Sequence, residues 1–178
     1  MSHKNNILAQ LLEKPTTRFQ LRELARLTKL STTAVKYAIK NLLKENIIKT
    51  EKEKKYLFYK ANWDAQEYKW TKKFYNIQKI LESGLLNYLD QELNYPEAIV
   101  LFGSAAKGED AERSDIDLFV FSANKKELDL KMFERKLGKP IILQLFNKTE
   151  LEIAKKKNKE LINNVINGIM LKGYLEVL

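Results

Sequence analysis

Two carboxylates at alternate positions behind a Gly-Ser turn constrain this chain more than any other stretch. Residues 99–102 (Ile-Val-Leu-Phe) form an apolar run that breaks at Gly103-Ser104. Ten residues then intervene before Asp115-Ile116-Asp117, which opens a second apolar run ending at Phe121. The pattern predicts a strand, a tight turn, a short helix and a second strand. Alternate strand positions point to one face, so Asp115 and Asp117 are expected side by side, with Ile116 and Leu118 turned to the opposite, buried side. Paired carboxylates repel unless a cation lies between them, and hard oxygen ligands suit Mg²⁺. Gly103 lets backbone approach a ligand closely, and the N–H groups opening the following helix suit an anion. The expected product is a cradle for a metal-bound triphosphate.

Together with the flanking Ala105-Ala106-Lys107-Gly108 and Ser114-Asp115-Ile116-Asp117-Leu118, the pattern resembles the signature of the polymerase β-like nucleotidyltransferase superfamily, particularly its minimal nucleotidyltransferase branch. The resemblance covers residues 84–178. It implies transfer of a nucleoside monophosphate from a nucleoside triphosphate, with ATP the expected one, to a hydroxyl or phosphate acceptor. By the same resemblance Gly103, Ser104 and Lys107 bind the nucleotide, while Asp115 and Asp117 are the catalytic acids and hold Mg²⁺, one ion foremost with a second site open. Stand-alone members often act with a small helical HEPN protein as toxin–antitoxin pairs, and some modify that partner with AMP, so a HEPN-type partner is implied.

The family pattern also expects a third carboxylate on a later strand. The strand expected at residues 140–146 (Pro-Ile-Ile-Leu-Gln-Leu-Phe) contains no acid, and Gln144 is its one polar side chain. Gln144 is therefore assigned the third-ligand position. An amide can ligate through oxygen, but it is a poor base and adds no charge. This departure favours an alternative function, a nucleotide-sensing transcription regulator with a catalytically degenerate transferase module.

Charge divides the chain. Fourteen of the 32 Lys and Arg, but only five of the 23 Asp and Glu, fall in residues 1–62, so this segment carries the whole net charge of +9. A basic module beside a neutral one points to a polyanion, double-stranded DNA first. Cysteine is absent, which excludes disulfide frameworks, thiol catalysis and zinc-finger patterns. No long apolar stretch or signal-like start is present, so neither a membrane nor secretion is expected and the cytoplasm is the expected location. His3 is the one histidine and receives no metal or catalytic role.

The basic segment has its own order. Ile7, Leu8, Leu11 and Leu12 follow helical spacing; Phe19, Leu21, Leu24, Ala25 and Leu27 mark a second helix. Ser31 is a natural N-cap for a third. On that helix Val35, Ala38, Ile39, Leu42 and Leu43 make the apolar stripe, leaving Thr32, Thr33, Lys36, Tyr37, Lys40 and Lys44 outside. Extended runs at 47–50 and 56–59 flank a charged loop at 51–55. Three helices closed by a hairpin resemble a winged helix-turn-helix domain, with Thr32, Thr33, Lys36, Tyr37 and Lys40 on the reading helix and Lys52, Lys54 and Lys55 on the wing contacting DNA. RNA-end modification, a third reading, is disfavoured by the wing and by the lack of stacking motifs.

The expected fold class is α+β: an N-terminal winged helix-turn-helix (1–62), a connector helix (63–83) and a nucleotidyltransferase-like α/β domain on a short mixed sheet (84–178). Trp70, Phe74, Ile77 and Leu81 recur at helical spacing on the connector, predicting a stripe that packs on a domain or joins two copies in a homodimer. Helices are further predicted at 125–137, 149–157 and 160–171.

Overall fold

The computed structural model describes residues 3–176; the side chain of His3 and residues 1, 2, 177 and 178 lie outside the described part. The chain falls into two compact units divided between Lys72 and Lys73, inside the long helix expected as a connector. No helix among the described residues is long and apolar enough to cross a membrane.

The first unit opens with α1 (His3–Glu13), α2 (Leu21–Thr28) and α3 (Thr32–Lys44). Their apolar stripes meet in a core of Ile7, Leu11, Leu12, Leu24, Val35, Ala38, Ile39 and Leu42. Ser31 caps α3 as expected, its Oγ accepting from the Ala34 N–H at 3.2 Å. Antiparallel β1 (Ile48–Glu53) and β2 (Tyr56–Ala61) form the hairpin. Phe19 departs from its helical assignment. Gln20 and Glu23 form a capping box that starts α2 at Leu21, and Phe19 instead exchanges backbone hydrogen bonds with Tyr59 on β2.

Helix α4 (Gln66–Ser83) carries the chain across the division. Its buried positions are Tyr68, Lys72, Ile80 and Ser83, whereas Trp70, Phe74 and Leu81 are exposed. Of the expected stripe, Ile77 packs on the core of the second unit. Lys72 is buried because its ammonium donates to the Leu12 carbonyl.

The second unit is a four-stranded mixed sheet with helices on both faces. After α5 (Leu85–Glu92) come β3 (Ala98–Phe102), α6 (Gly103–Lys107), β4 (Ile116–Phe121), α7 (Lys131–Leu137), β5 (Ile141–Phe146), α8 (Lys148–Lys157), α9 (Lys159–Ile166) and β6 (Ile169–Gly173). Strand order is β5-β4-β3-β6, with β4 and β5 parallel and the other neighbours antiparallel. One face packs Ile99, Leu101, Ile116, Leu118 and Val120 against Leu85, Leu89, Phe133 and Leu137. The other packs Val100, Phe102 and Phe119 against Leu151, Ala154, Ile162 and Val165. Helix α7 begins only at Lys131, where the Asp129 carboxylate accepts the Lys131 N–H. Upstream, residues 123–130 are loop, in which Lys125 pairs with Glu150 and Lys126 with Glu92. The helix expected to reach residue 171 stops at Ile166, and residues 169–173 pair with β3 as a strand.

Candidate nucleotide site and nucleic-acid surface

At the end of β3 the chain turns sharply. Gly103 has φ +68°, and a Cβ built on it would overlap Asp117 Oδ2. Only glycine permits this seat, because a side chain would meet both the left-handed backbone penalty and the carboxylate. Asp117 is the second residue of β4, level with Phe102 on one side and Ile142 on the other. It is half-buried, and burial first, then the charge of Asp115, raises its carboxyl above the ordinary aspartate range. Asp115 is exposed and precedes the first ladder residue, Ile116. The two acids interact as expected, but only Asp117 belongs to the strand itself.

The other expected nucleotide contacts gather around this turn in sequence. Ser104 is half-buried and its carbonyl accepts from the Glu109 N–H at 3.0 Å; Lys107 ends α6 with its side chain exposed. Gln144 lies on the face of β5 shared with Asp117, but level with Phe119, one side-chain repeat further on. The residue level with Asp117 is Ile142, which is 43 % exposed. Glu150 is engaged elsewhere: it accepts from the Asn147 N–H at the start of α8 and holds Lys125, which lowers its carboxyl below the usual range. Among the described residues no group of three or more Asp, Glu, His or Cys side chains is placed to hold a metal. Asp117, seated against Gly103, and Asp115 beside it are the oxygen donors that could hold one Mg²⁺.

In the first unit, Thr32, Thr33, Lys36, Tyr37, Lys40 and Lys44 all lie exposed along one side of α3, Tyr37 at 70 %. Lys52, Lys54 and Lys55 are exposed at the tip of the hairpin, where Lys54 adopts φ +51° in the two-residue turn. Among the described residues none of these lysines has an acid partner. The wing's acids are already engaged, Glu51 by Arg18 and Lys60 and Glu53 by Arg18, whose guanidinium also lies over the Phe58 ring. Neutralising those acids leaves the wing tip cationic.

The family model for the polymerase beta nucleotidyltransferase domain matches residues 83–174, just over half of the chain. The chain belongs to this nucleotidyltransferase family. A winged helix-turn-helix DNA-binding model matches residues 3–49, so a DNA-binding module precedes the nucleotidyltransferase domain. Comparison with curated proteins and with solved structures gives no match.

Sequence reasoning did not single out Ile142 or Asp110 in the nucleotidyltransferase domain. Ile142 emerges only from the β4–β5 register. Asp110 sits in a run of charged residues that reads as solvated surface, yet it is buried. Its partners, Asn76 and Lys139, are remote in sequence.

Proposed function

We propose that this nucleotidyltransferase binds a Mg²⁺–nucleoside triphosphate at Asp115 and Asp117 and moves its nucleoside monophosphate to an acceptor, while the winged helix holds double-stranded DNA. The observation that carries the reading is the seating of the Asp117 carboxylate against Gly103, beside the Ser104 turn. The space a side chain would take at Gly103 is filled by that carboxylate, which sets an oxygen donor for a metal directly against the turn. Mg²⁺, when bound, supplies neutralisation of phosphate charge. In the reaction the acceptor oxygen attacks the α-phosphorus, the bond to pyrophosphate breaks, and the acceptor proton passes to solvent. Ser104 and Lys107 hold the phosphates and orient the leaving pyrophosphate. Family likeness supports ATP as the nucleotide, a HEPN-type protein as an acceptor partner, and cytoplasmic pairs of chains on DNA half-sites.

A second reading is a transcription regulator that binds nucleotide and turns it over slowly. The absence of a third acid beside the pair favours it. A positioned general base contributes about 10²–10⁴-fold, so its loss leaves weak transfer above an intact binding site. Incubation with labelled nucleoside triphosphates, Mg²⁺ and acceptor proteins, alongside calorimetric binding, separates the readings. Label on an acceptor supports the transferase; nucleotide binding without label supports the sensor. Ile142→Asp and Gln144→Asp sharpen this test. A carboxylate level with Asp117 is expected to raise transfer more than one beside Phe119, and the reverse ranking would return the third-ligand role to position 144.

A further inference from the structure

The two acids of the site are held by different means. Asp117 is fixed by the β4 ladder and by Gly103, but Asp115 lies outside the ladder at the end of the loop that follows α6. What sets its position is therefore the conformation of residues 108–115. That loop contains a carboxylate, Asp110, which is 1 % exposed. Its Oδ1 accepts from the Asn76 amide at 2.7 Å, and its Oδ2 is paired with the Lys139 ammonium. The same two partners reach further. Asn76 also donates to the Ala105 carbonyl at 3.1 Å, in the helix that carries Ser104, and Lys139 donates to the Ala111 carbonyl at 2.8 Å. The Ala111 N–H in turn donates to Ser114 Oγ at 2.9 Å, closing the turn directly before Asp115. Beyond Asp115, the Ile116 N–H donates to the Pro140 carbonyl, one residue from Lys139.

Buried ion pairs stabilise weakly relative to apolar packing, because desolvation offsets attraction; their attested use is to specify one arrangement. Here the arrangement specified is the path of the loop between the phosphate-side turn and the first acid. We propose that Asp110, clamped by Asn76 and Lys139, is a positioning residue that holds Asp115 opposite Asp117. The inference rests on the nucleotide-site reading above and deepens it. It makes the metal affinity of the site depend on a residue of α4 and on the residue entering Pro140, neither of which is placed against the nucleotide.

The test uses the full chain, Mg²⁺ and a non-hydrolysable ATP analogue in titration calorimetry, with amide hydrogen exchange of residues 109–115 read without metal or nucleotide. Asn76→Ala and Asp110→Asn are expected to speed exchange in that segment and weaken Mg²⁺-dependent binding by about tenfold, the lower range for residues that orient metal ligands. Lys139→Arg, which keeps charge and donor, is expected to retain affinity. If the clamp acts through Asp115, Asn76→Ala adds nothing further in an Asp115→Asn background. Full additivity there, or a lowered thermal midpoint with unaltered affinity and exchange, would overturn the proposal. Asn76→Ala is the milder variant and keeps the test alive if Asp110→Asn fails to fold. Absence of Mg²⁺-dependent binding by the native chain overturns the nucleotide-site reading and the clamp with it; native binding that Asp117→Asn abolishes and Asn76→Ala spares overturns the clamp alone.

Discussion

In the winged helix the acids are the residues with partners: Glu45 holds Lys4, Glu51 holds Arg18 and Lys60, Glu53 holds Arg18, and Asp64 holds Lys49. Among the described residues Lys36, Lys40, Lys52, Lys54 and Lys55 have no acid partner. In the nucleotidyltransferase domain Glu92, Asp90, Asp110 and Glu150 each hold a lysine, while Asp115 and Asp117 are among the acids that hold no base among the described residues. Residues 1–62 carry 14 Lys and Arg against five Asp and Glu, so most of their cations stay uncancelled, whereas residues 63–178 carry 18 of each sign and the acid pair is a local feature of a balanced segment. The sets differ in geometry. The lysines spread over a helix and a wing, so each contributes a small, similar share of polyanion binding. The acids interact at one point beside Gly103, where Asp117 is seated, so each is expected to be indispensable.

The sharpest break of that comparison is at the acids. Asp117→Asn is expected to weaken Mg²⁺-dependent nucleotide binding by about a hundredfold, the scale on which even outer-shell changes at metal sites act, while leaving DNA affinity unchanged. Calorimetry and fluorescence anisotropy on one preparation check both. Equal losses on the two ligands would mean the units do not partition function in this way.

A smaller effect is expected from paired glycine substitutions. Gly103→Ala and Gly138→Ala both place a side chain on a left-handed backbone, at φ +68° and +70°. Each is expected to lose about 1–2 kcal/mol of stability on that account. Only at Gly103 does the new Cβ meet the Asp117 carboxylate; at Gly138 nothing lies within 4 Å. Nucleotide binding should therefore weaken in Gly103→Ala, by less than in Asp117→Asn, and be unchanged in Gly138→Ala. Matching behaviour of the two variants would reduce Gly103 to an ordinary turn residue.

What could be read from the residues was what local periodicity decides. The sequence pattern paired Asp115 with Asp117, although only Asp117 lies in the ladder; the Ser31 cap placed α3, and helical spacing sorted its exposed lysines from its core. Long-range partners decided the rest. The 123–130 segment has helical residues, yet it is loop: Lys125 and Lys126 pair with Glu150 and Glu92, and the Asp129 carboxylate accepts the first N–H of the helix that starts at Lys131. Residues 169–173 form a short apolar run that no period separates from helix; β3 recruits it as an edge strand. The level of Ile142 beside Asp117 is a property of strand pairing, and no single strand carries that information.

On the cationic side the expected effects are smaller and graded. Each of Lys36→Ala, Lys40→Ala and Lys54→Ala should lower the slope of log affinity against log salt for duplex DNA by about one unit and weaken all sequences alike. Tyr37→Ala should instead change preference among sequences with little change in slope, because an exposed ring in mid-helix can meet base edges. A lysine variant that abolishes binding outright would show that this surface, too, is concentrated rather than distributed.

The smallest effect is a difference of sign with pH. Glu51 and Glu150 are pulled below the usual carboxylate range, Glu51 by Lys60 and then Arg18, Glu150 by Lys125 and then the Asn147 N–H. Their contribution is present above the unfolded-state value and is lost as pH falls through the lowered native one. Asp117 runs the other way, because burial and Asp115 raise it. Between the ordinary aspartate value and the raised native value the native state binds more protons than the unfolded state, so stability falls as pH rises through that window. Without metal, Asp117→Asn should remove this decline and be more stable than the native chain above the window, a gain visible in thermal midpoints compared from about pH 3 to about pH 6. Adding Mg²⁺ should raise the native midpoint above the window and leave Asp117→Asn nearly unmoved, since the cation binds the charged form and competes with the proton. A native midpoint that rises through the same window relative to Asp117→Asn would show that the two acids are stabilised within the fold, and the contrast between a charged patch awaiting a partner and one already satisfied would fall at its anionic end.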